Sequence, residues 1–218
     1  PSIGGTGEDP VALLKEKLDE CGVTFKSNSD TEVLLHLYEK FGENAFSMLR
    51  GMFSFAILDR RTKTVSIVRD LIGIKPVYLT KSGELYGASE VRGLRPYPNV
   101  KFDLDRNDLY DFMCNGFVRE PNTGYSEIEK LLPGHYFEFD LSSGETRTRR
   151  YETIYNYEVN KPLDKLLQSA CDRQNISDVP LGTYLSGGID SSLITAITAK
   201  IKKEVLNAKK TFQKYKWP

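Results

Sequence analysis

The sequence predicts an α+β chain in which a region of antiparallel sheet is followed by the first unit of a parallel α/β sheet. Three consecutive hairpin patterns between residues 51 and 150 indicate the antiparallel region, because hairpin-connected strands run in opposite directions. A β-like run, a glycine loop and a helical pattern at 181–207 are typical of the unit that opens a parallel sheet. Composition changes near residue 151, which places a domain boundary at about 150–160.

Two amphipathic helices are predicted before the hairpins. Residues 10–22 begin with a proline and end at Gly22, and their apolar face is Val11, Leu14 and Leu18. The segment "SNSDTEVLLHLYEKFG" repeats apolar residues at helical spacing, with Asp30 as the predicted N-cap.

The three hairpins are marked by polar turns at Asp59–Lys63, Lys81–Gly83 and Ser142–Gly144. A helix is predicted near residues 105–115, between the second and third hairpins. We therefore expect one domain over residues 1–150, a linker over 151–161 and a second domain over 162–218.

The second domain begins with a predicted helix from Pro162, followed by "DVPLGTYL" as a strand. After the glycine loop, "SSLITAITAKIKKEVLNAKKT" is predicted to be a single helix.

Charge and cysteine content exclude several classes of protein. Thirty basic and thirty acidic residues cancel, so no net field draws the chain to nucleic acid or to an anionic membrane. No segment has the length and apolarity of a membrane span or a signal peptide. Three scattered cysteines without metal-ligand spacing favour a reducing compartment, and we expect a cytoplasmic protein.

The stretch "YLSGGIDSSL" carries the strongest chemical signal. Adjacent glycines let successive N–H groups converge on one anion, and the following helix adds a partial positive charge. Asp190 suits an anion site only beside a cation, so it is a candidate magnesium ligand. The loop lacks the lysine of a Walker loop and resembles the SGGxDS pattern of ATP pyrophosphatases. A plain helix-capping turn is the alternative.

Longer motifs resemble the glutamine-hydrolysing asparagine synthetases. The matching segments, in the family's order, are "SNSDTEVLLHLYEKFG", "LRGMFSFAILDRRTKTVSIVRDLIGIKPVYL", "GELYGASEV", "LLPGHYFEFD" and "ISDVPLGTYLSGGIDSSL". The resemblance implies an N-terminal nucleophile hydrolase-like αββα sandwich that releases ammonia from glutamine. It also implies the start of a PP-loop domain, in which MgATP and aspartate form β-aspartyl-AMP for the ammonia to attack.

The resemblance also implies residue roles. Asp30 matches the carboxylate that holds the α-amino group of glutamine, and Asp190 would hold Mg²⁺. The residues matching the ATP-contacting loop are Leu185, Ser186, Gly187, Gly188, Asp190, Ser191 and Ser192. The "RD..G.KP" motif, comprising Arg69, Asp70, Gly73, Lys75 and Pro76, is interpreted as structural. His135 is expected to be a structural hydrogen-bonding residue, and Ser89 and Glu90 match the family's "ASE" near its inter-domain interface.

The family's nucleophile is an N-terminal cysteine, and neither Ser2 nor Cys21 matches it. Cys21 is interpreted as a packing thiol. We expect this chain alone to have an incomplete sandwich and no catalytic residue of its own. We also expect it to form a homo-oligomer or to be completed by another polypeptide. Two alternative functions are a non-catalytic interaction module and a related lactam- or macrolactam-forming adenylating synthetase.

Overall fold

A computed structural model describes residues 10–27, 29–81, 84–154, 162–175, 181–201 and 206–207. The helices and strands, in chain order, are α1 (Pro10–Glu20), α2 (Asp30–Phe41), β1 (Ser54–Asp59), β2 (Thr64–Arg69), β3 (Tyr78–Thr80), β4 (Gly87–Ala88), α3 (Arg106–Asn115), β5 (Ile128–Lys130), β6 (His135–Asp140), β7 (Thr146–Arg150), α4 (Leu163–Gln174), β8 (Gly182–Thr183), α5 (Ile189–Ile201) and β9 (Leu206–Asn207). Two 3₁₀ helices span Gly42–Met48 and Val91–Leu94.

The chain forms two compact units. One unit draws on residues up to Glu39 together with residues from Glu158 onward, and the other comprises Lys40–Tyr157.

The first unit contains α1, whose predicted bounds and apolar face are confirmed. Leu14 and Leu18 are buried, and Gly22 ends the helix with a φ of +76°, a conformation that glycine adopts at little cost. Cys21 lies just beyond the end of α1 and is exposed, so the prediction of a packing thiol is wrong. Cys171 on α4 is a buried thiol instead.

A four-stranded antiparallel sheet, ordered β1-β2-β6-β7, forms the centre of the second unit. It confirms the first and third predicted hairpins, since β1 pairs with β2 and β6 pairs with β7. All five side chains of β7 are exposed. Because three of them are arginines, they protect this edge of the sheet from pairing with another chain.

A second antiparallel sheet has the order β4-β3-β5. The β3–β4 pairing confirms the second predicted hairpin, whose Ser82 and Gly83 lie outside the described residues. Strand β5 was not predicted. Its three residues are too short to show a period, and they pair with β3 from about fifty positions along the chain.

The two sheets pack face to face through a shared apolar cluster. Leu79 of β3 and Phe137 of β6 are buried in it together with Val77 and Leu131. Gly87 of β4 faces the other sheet, because a Cβ there would lie 3.7 Å from Ile67 Cδ1 of β2. The sheet-on-sheet part of the fold prediction is therefore confirmed. The N-terminal nucleophile hydrolase class stays a prediction.

The α/β part of the first unit differs in three ways from the sequence-based expectation. Of the strand predicted over 178–185, residues 178–180 lie outside the described residues, and only Gly182–Thr183 of the rest form a strand. Helix α5 begins at Ile189, earlier than predicted, and Leu206–Asn207 form a strand instead of continuing the helix. This strand, β9, pairs in parallel with β8, as Gly182 aligns with Leu206. Long-range strand pairing therefore overrides a helical period that carries no stop signal. No helix among the described residues is long and apolar enough to cross a membrane.

Candidate functional site

The glycine loop between β8 and α5 closes on itself through its serines. The Ser186 and Ser191 hydroxyls lie 2.8 Å apart, and the Gly188 N–H donates to Ser186 Oγ at 3.4 Å. The Ser191 hydroxyl donates to the Gly188 carbonyl at 3.1 Å. Gly187 has a φ of +93°, which lets the chain turn sharply into the helix. These bonds fix the shape of the loop without using its outward surface.

That outward surface suits an anion. The Ser192 N–H donates to the Gly188 carbonyl, so the N–H groups of the preceding helical residues have no acceptor inside α5. No heavy atom of the described chain lies within 4 Å of a Cβ built on Gly187. Ile189 is 86% exposed, and Asp190 lies exposed in the first turn. The start of this 13-residue helix therefore presents unpaired donors and a positive dipole end to solvent.

The other predicted ligand, Asp30, is placed differently from its sequence-based interpretation. Ser29 caps α2, because its Oγ accepts from the Thr31 N–H at 3.2 Å and its carbonyl accepts from the Glu32 N–H. Asp30 is instead the first helical residue, so its prediction as the N-cap is wrong. Its carboxylate is exposed and has no hydrogen bond or ion pair within the part of the chain that the structure describes.

Glu32 organises the segment before Asp30, and sequence reasoning missed it. One carboxylate oxygen accepts from the Lys26 N–H at 2.8 Å, and the other accepts from the Ser27 N–H at 2.7 Å and the Ser27 hydroxyl at 2.6 Å. These bonds, the Ser27 hydroxyl first, lower the pKa of Glu32 from 4.5 to about 2. The Ser29-to-Glu32 spacing is that of a capping box, which is the local signal that could have identified this residue.

The "RD..G.KP" motif forms the predicted structural network. The buried Arg69 guanidinium donates to three backbone carbonyls and pairs with Glu120 at 3.0 Å. The Asp70 carboxylate, which is fully buried, accepts four backbone N–H groups from residues 72–75. Lys75 contributes its backbone N–H and carbonyl, and its side chain is exposed. The motif shapes the turn between the two sheets and offers no reacting group.

The remaining predicted residues lie apart from these features. His135 Nδ1 donates to the Pro133 carbonyl at 2.8 Å, which confirms its structural role. Glu90 pairs with Arg92 at the start of the Val91–Leu94 3₁₀ helix, and Ser89 is exposed beside it.

A polar cluster on the four-stranded sheet was not predicted. The Tyr136 hydroxyl donates to Glu43, and Arg149 Nη1 lies 3.7 Å from the same carboxylate. Burial first, and then the bond to Glu43, raise the pKa of Tyr136 to about 12. These bonds fasten the Gly42–Met48 segment to the sheet. The Tyr136–Glu43 bond joins residues 93 positions apart, a distance over which no sequence motif operates.

Family models account for most of the chain. A glutamine amidotransferase domain matches residues 11–152, and an asparagine synthase model matches residues 162–214. The chain belongs to the asparagine synthetase family. The first match ends at residue 152 and the second begins at residue 162, and the domain boundary at about 150–160 stays a prediction.

Curated members of the asparagine synthetase family align with nearly the whole chain. The asparagine synthetase [glutamine-hydrolyzing] 3 of Bacillus subtilis (strain 168) is 38% identical over 199 residues, covering 85% of this chain and 31% of the relative. Asparagine synthetase [glutamine-hydrolyzing] 1 of the same organism is 37% identical, covering 91% and 32%. An Arabidopsis thaliana asparagine synthetase is 34% identical, covering 86% and 28%. The chain thus spans about a third of the length of these relatives.

Two solved structures resemble this asparagine synthetase-family chain at lower sequence identity than the curated relatives do. A structure titled as the allosteric regulatory enzyme of purine biosynthesis has a TM-score of 0.47 at 18% identity, covering 90% of this chain and 41% of that one. A Bacillus subtilis glutamine phosphoribosylpyrophosphate amidotransferase has a TM-score of 0.46 at 17% identity, covering 91% and 42%.

Proposed function

We propose that this chain supplies glutamine- and ATP-binding elements to an asparagine synthetase-type amidotransferase. In that reaction the aspartate side-chain carboxylate attacks the α-phosphorus of ATP and releases pyrophosphate. Ammonia from glutamine then displaces AMP and leaves the amide. The observation that carries the proposal is the exposed, self-braced SGGIDSS loop at the start of α5, in a chain whose relatives are named asparagine synthetases.

The donor set of the loop fits the phosphates of ATP. The N–H groups of the first helical turn that have no acceptor inside α5 are donors, which phosphate oxygens accept, and the Ser186 and Ser191 hydroxyls brace the loop around them. Gly188 has no side chain to cover them. A Cβ there would stand 3.6 Å from Ser186 Oγ and 4.0 Å from Ser191 Oγ, within the cradle itself. Leu185 and Ser192 flank this cradle.

Asp190 fits Mg²⁺ only as a ligand shared with phosphate. No group of three or more His, Cys, Asp or Glu side chains able to hold a metal occurs among residues that the structure describes. Magnesium is commonly bound through one or two carboxylates together with substrate phosphates, so the exposed Asp190 suffices for that role. When bound, the ion would neutralise charge on the leaving pyrophosphate.

Asp30 supplies the glutamine-binding element of the proposal. Its carboxylate is uncommitted because Ser29 provides the cap and Glu32 accepts the loop donors. An exposed carboxylate with open lone pairs suits the α-ammonium group of glutamine. Binding there would place the amino acid at the first turn of α2.

Direct binding measurements test the ATP-binding element. We expect MgATP to bind the chain by isothermal titration calorimetry, and Ser186→Ala to weaken that binding. Ser142→Ala is the matched control, since Ser142 is an exposed serine in a hairpin turn of the other unit. No MgATP binding tighter than about 1 mM would remove the ATP part of the proposal.

A further inference from the structure

The Glu32 side chain on α2 holds the segment that precedes Asp30 by hydrogen bonds to its backbone. One of its carboxylate oxygens accepts from Lys26, six residues earlier in the chain, and the other accepts from Ser27, five residues earlier. The Ser29 N–H donates to Ser27 Oγ at 3.2 Å, so the residue that caps α2 is tied to the same anchor. One side chain on α2 therefore holds the backbone that leads directly to Asp30.

The anchor rests on α2 and on a neighbouring aromatic ring. His36, one turn further along α2, has its Nε2 3.9 Å from Glu32 and its Nδ1 3.0 Å from Glu39. The Phe25 ring packs edge-on against the His36 ring at 5.7 Å, which keeps the segment before Lys26 against the helix.

We propose that Glu32 is a positioning residue for recognition of the glutamine α-amino group, an inference that rests on the role of Asp30 proposed above. Carboxylates near a helix N-terminus accept hydrogen bonds from its free N–H groups, and an aspartate at the start of a helix commonly folds back onto them. Here Glu32 satisfies the Lys26 and Ser27 donors, and Ser29 satisfies the Thr31 donor. The Asp30 carboxylate is thereby kept outward and unpaired, ready for an ammonium ion.

The experiment compares Glu32→Gln, Asp30→Asn and Glu39→Gln in the full chain. Glutamine at position 32 keeps the size of the side chain but turns an amide NH₂ toward the donors of the loop. Glu39→Gln is the matched control, because it makes the same change on the same helix and touches His36 without touching the loop. Each variant is measured for binding of L-glutamine and of glutaramate, which is glutamine without its α-amino group. Amide hydrogen exchange at Lys26 and Ser27 reports the loop directly.

We expect Asp30→Asn to weaken L-glutamine binding by roughly 10- to 100-fold, as loss of a charge-assisted hydrogen bond implies, and Glu32→Gln to weaken it by about tenfold. Glu32→Gln should also speed amide exchange at Lys26 and Ser27 and leave glutaramate binding unchanged. Glu39→Gln should match the wild type in every measurement.

The contrary outcomes separate the two proposals. If Asp30→Asn weakens binding while Glu32→Gln binds L-glutamine as the wild type does, the positioning role is overturned and the role of Asp30 stands. Equal weakening of L-glutamine and glutaramate by Glu32→Gln also overturns it, since that indicates general damage to the loop. If the wild type binds L-glutamine and glutaramate equally, or if Asp30→Asn binds L-glutamine as the wild type does, the proposed glutamine-binding element fails, and the positioning role fails with it.

Discussion

Gly73→Ala tests whether the "RD..G.KP" turn is as tightly packed as its contacts indicate. Gly73 has a φ of +74°, and its N–H donates to Asp70 Oδ1 at 2.7 Å while its carbonyl accepts from Arg69 at 2.7 Å. A Cβ at this position would lie 2.7 Å from Pro133 Cγ and 2.9 Å from Arg69 Nη2. Both distances are shorter than van der Waals contact, so the ring or the guanidinium must move.

The expected cost has two parts. A left-handed backbone costs an alanine about 1–2 kcal/mol, and forcing an extra methyl group into packed surroundings costs about 1–3 kcal/mol more. Gly144→Ala is the matched control, because Gly144 has a φ of +75° and nothing within 4 Å of its Cβ. Both variants gain the same stabilisation from a less flexible unfolded chain, so that contribution cancels in the comparison.

Urea unfolding followed by far-UV circular dichroism measures the difference between the two variants. We expect Gly73→Ala to lower the free energy of unfolding by about 1–3 kcal/mol more than Gly144→Ala does. Equal midpoints and slopes for the two variants would refute the reasoning, because they would leave only the backbone conformation as a cost.

Three further predictions follow from single contacts. Arg69→Met should lower the free energy of unfolding by about 3–5 kcal/mol, since it leaves three backbone carbonyls without their donor and Glu120 with Lys130 as its remaining ion-pair partner among the described residues. A loss below about 1 kcal/mol in urea unfolding would contradict this. Tyr136→Phe should be less stable than the wild type up to pH 10.0, because the neutral Tyr136 hydroxyl donates to Glu43. Since the folded pKa of Tyr136 is raised to about 12, the difference in stability should disappear as pH rises from 10.0 toward about 12. Urea midpoints at several pH values check this, and a difference independent of pH would oppose it. The hydrogen bonds that Glu32 accepts should persist above pH 4.5 and be lost as pH falls toward about 2, because the folded pKa of Glu32 is lowered. An NMR titration of the Glu32 carboxyl group with a midpoint near 4.5 would disprove this.

Local patterns were sufficient for much of the fold. The helical period predicted α1 because Leu14 and Leu18 share one face, and Gly22 marked its end. The three hairpins followed from alternating runs and from turn residues such as Gly144, whose φ is +75°. Each of these features depends on residues within a few positions of one another, which is the range over which sequence spacing carries structural information.

The motifs of the candidate site could be predicted from the sequence, but the hydrogen bonds that position its residues could not. The SGGIDSS loop was identified because its glycines and serines are contiguous, and its structure is made by bonds within that stretch. Asp30 was identified by resemblance, but its freedom depends on Ser29 and Glu32 taking the nearby donors. Such competition for donors is settled by the folded geometry, so two neighbouring acids with similar propensities receive different roles.

The sequence by itself determined most of the element types, the turns and the position of the glycine loop, because those depend on side-chain period and on glycine at particular positions. Only the tertiary structure decided what is joined across the chain. Arg69 pairs with Glu120, 51 positions away, and donates to the Leu131 carbonyl, 62 positions away. Leu206–Asn207 form a strand because β8 supplies hydrogen-bonding partners for them, and the spacing of apolar residues along the sequence carries no information about those partners. Buried donors and acceptors must find partners wherever the fold brings them, and that requirement acts over distances that sequence spacing does not encode.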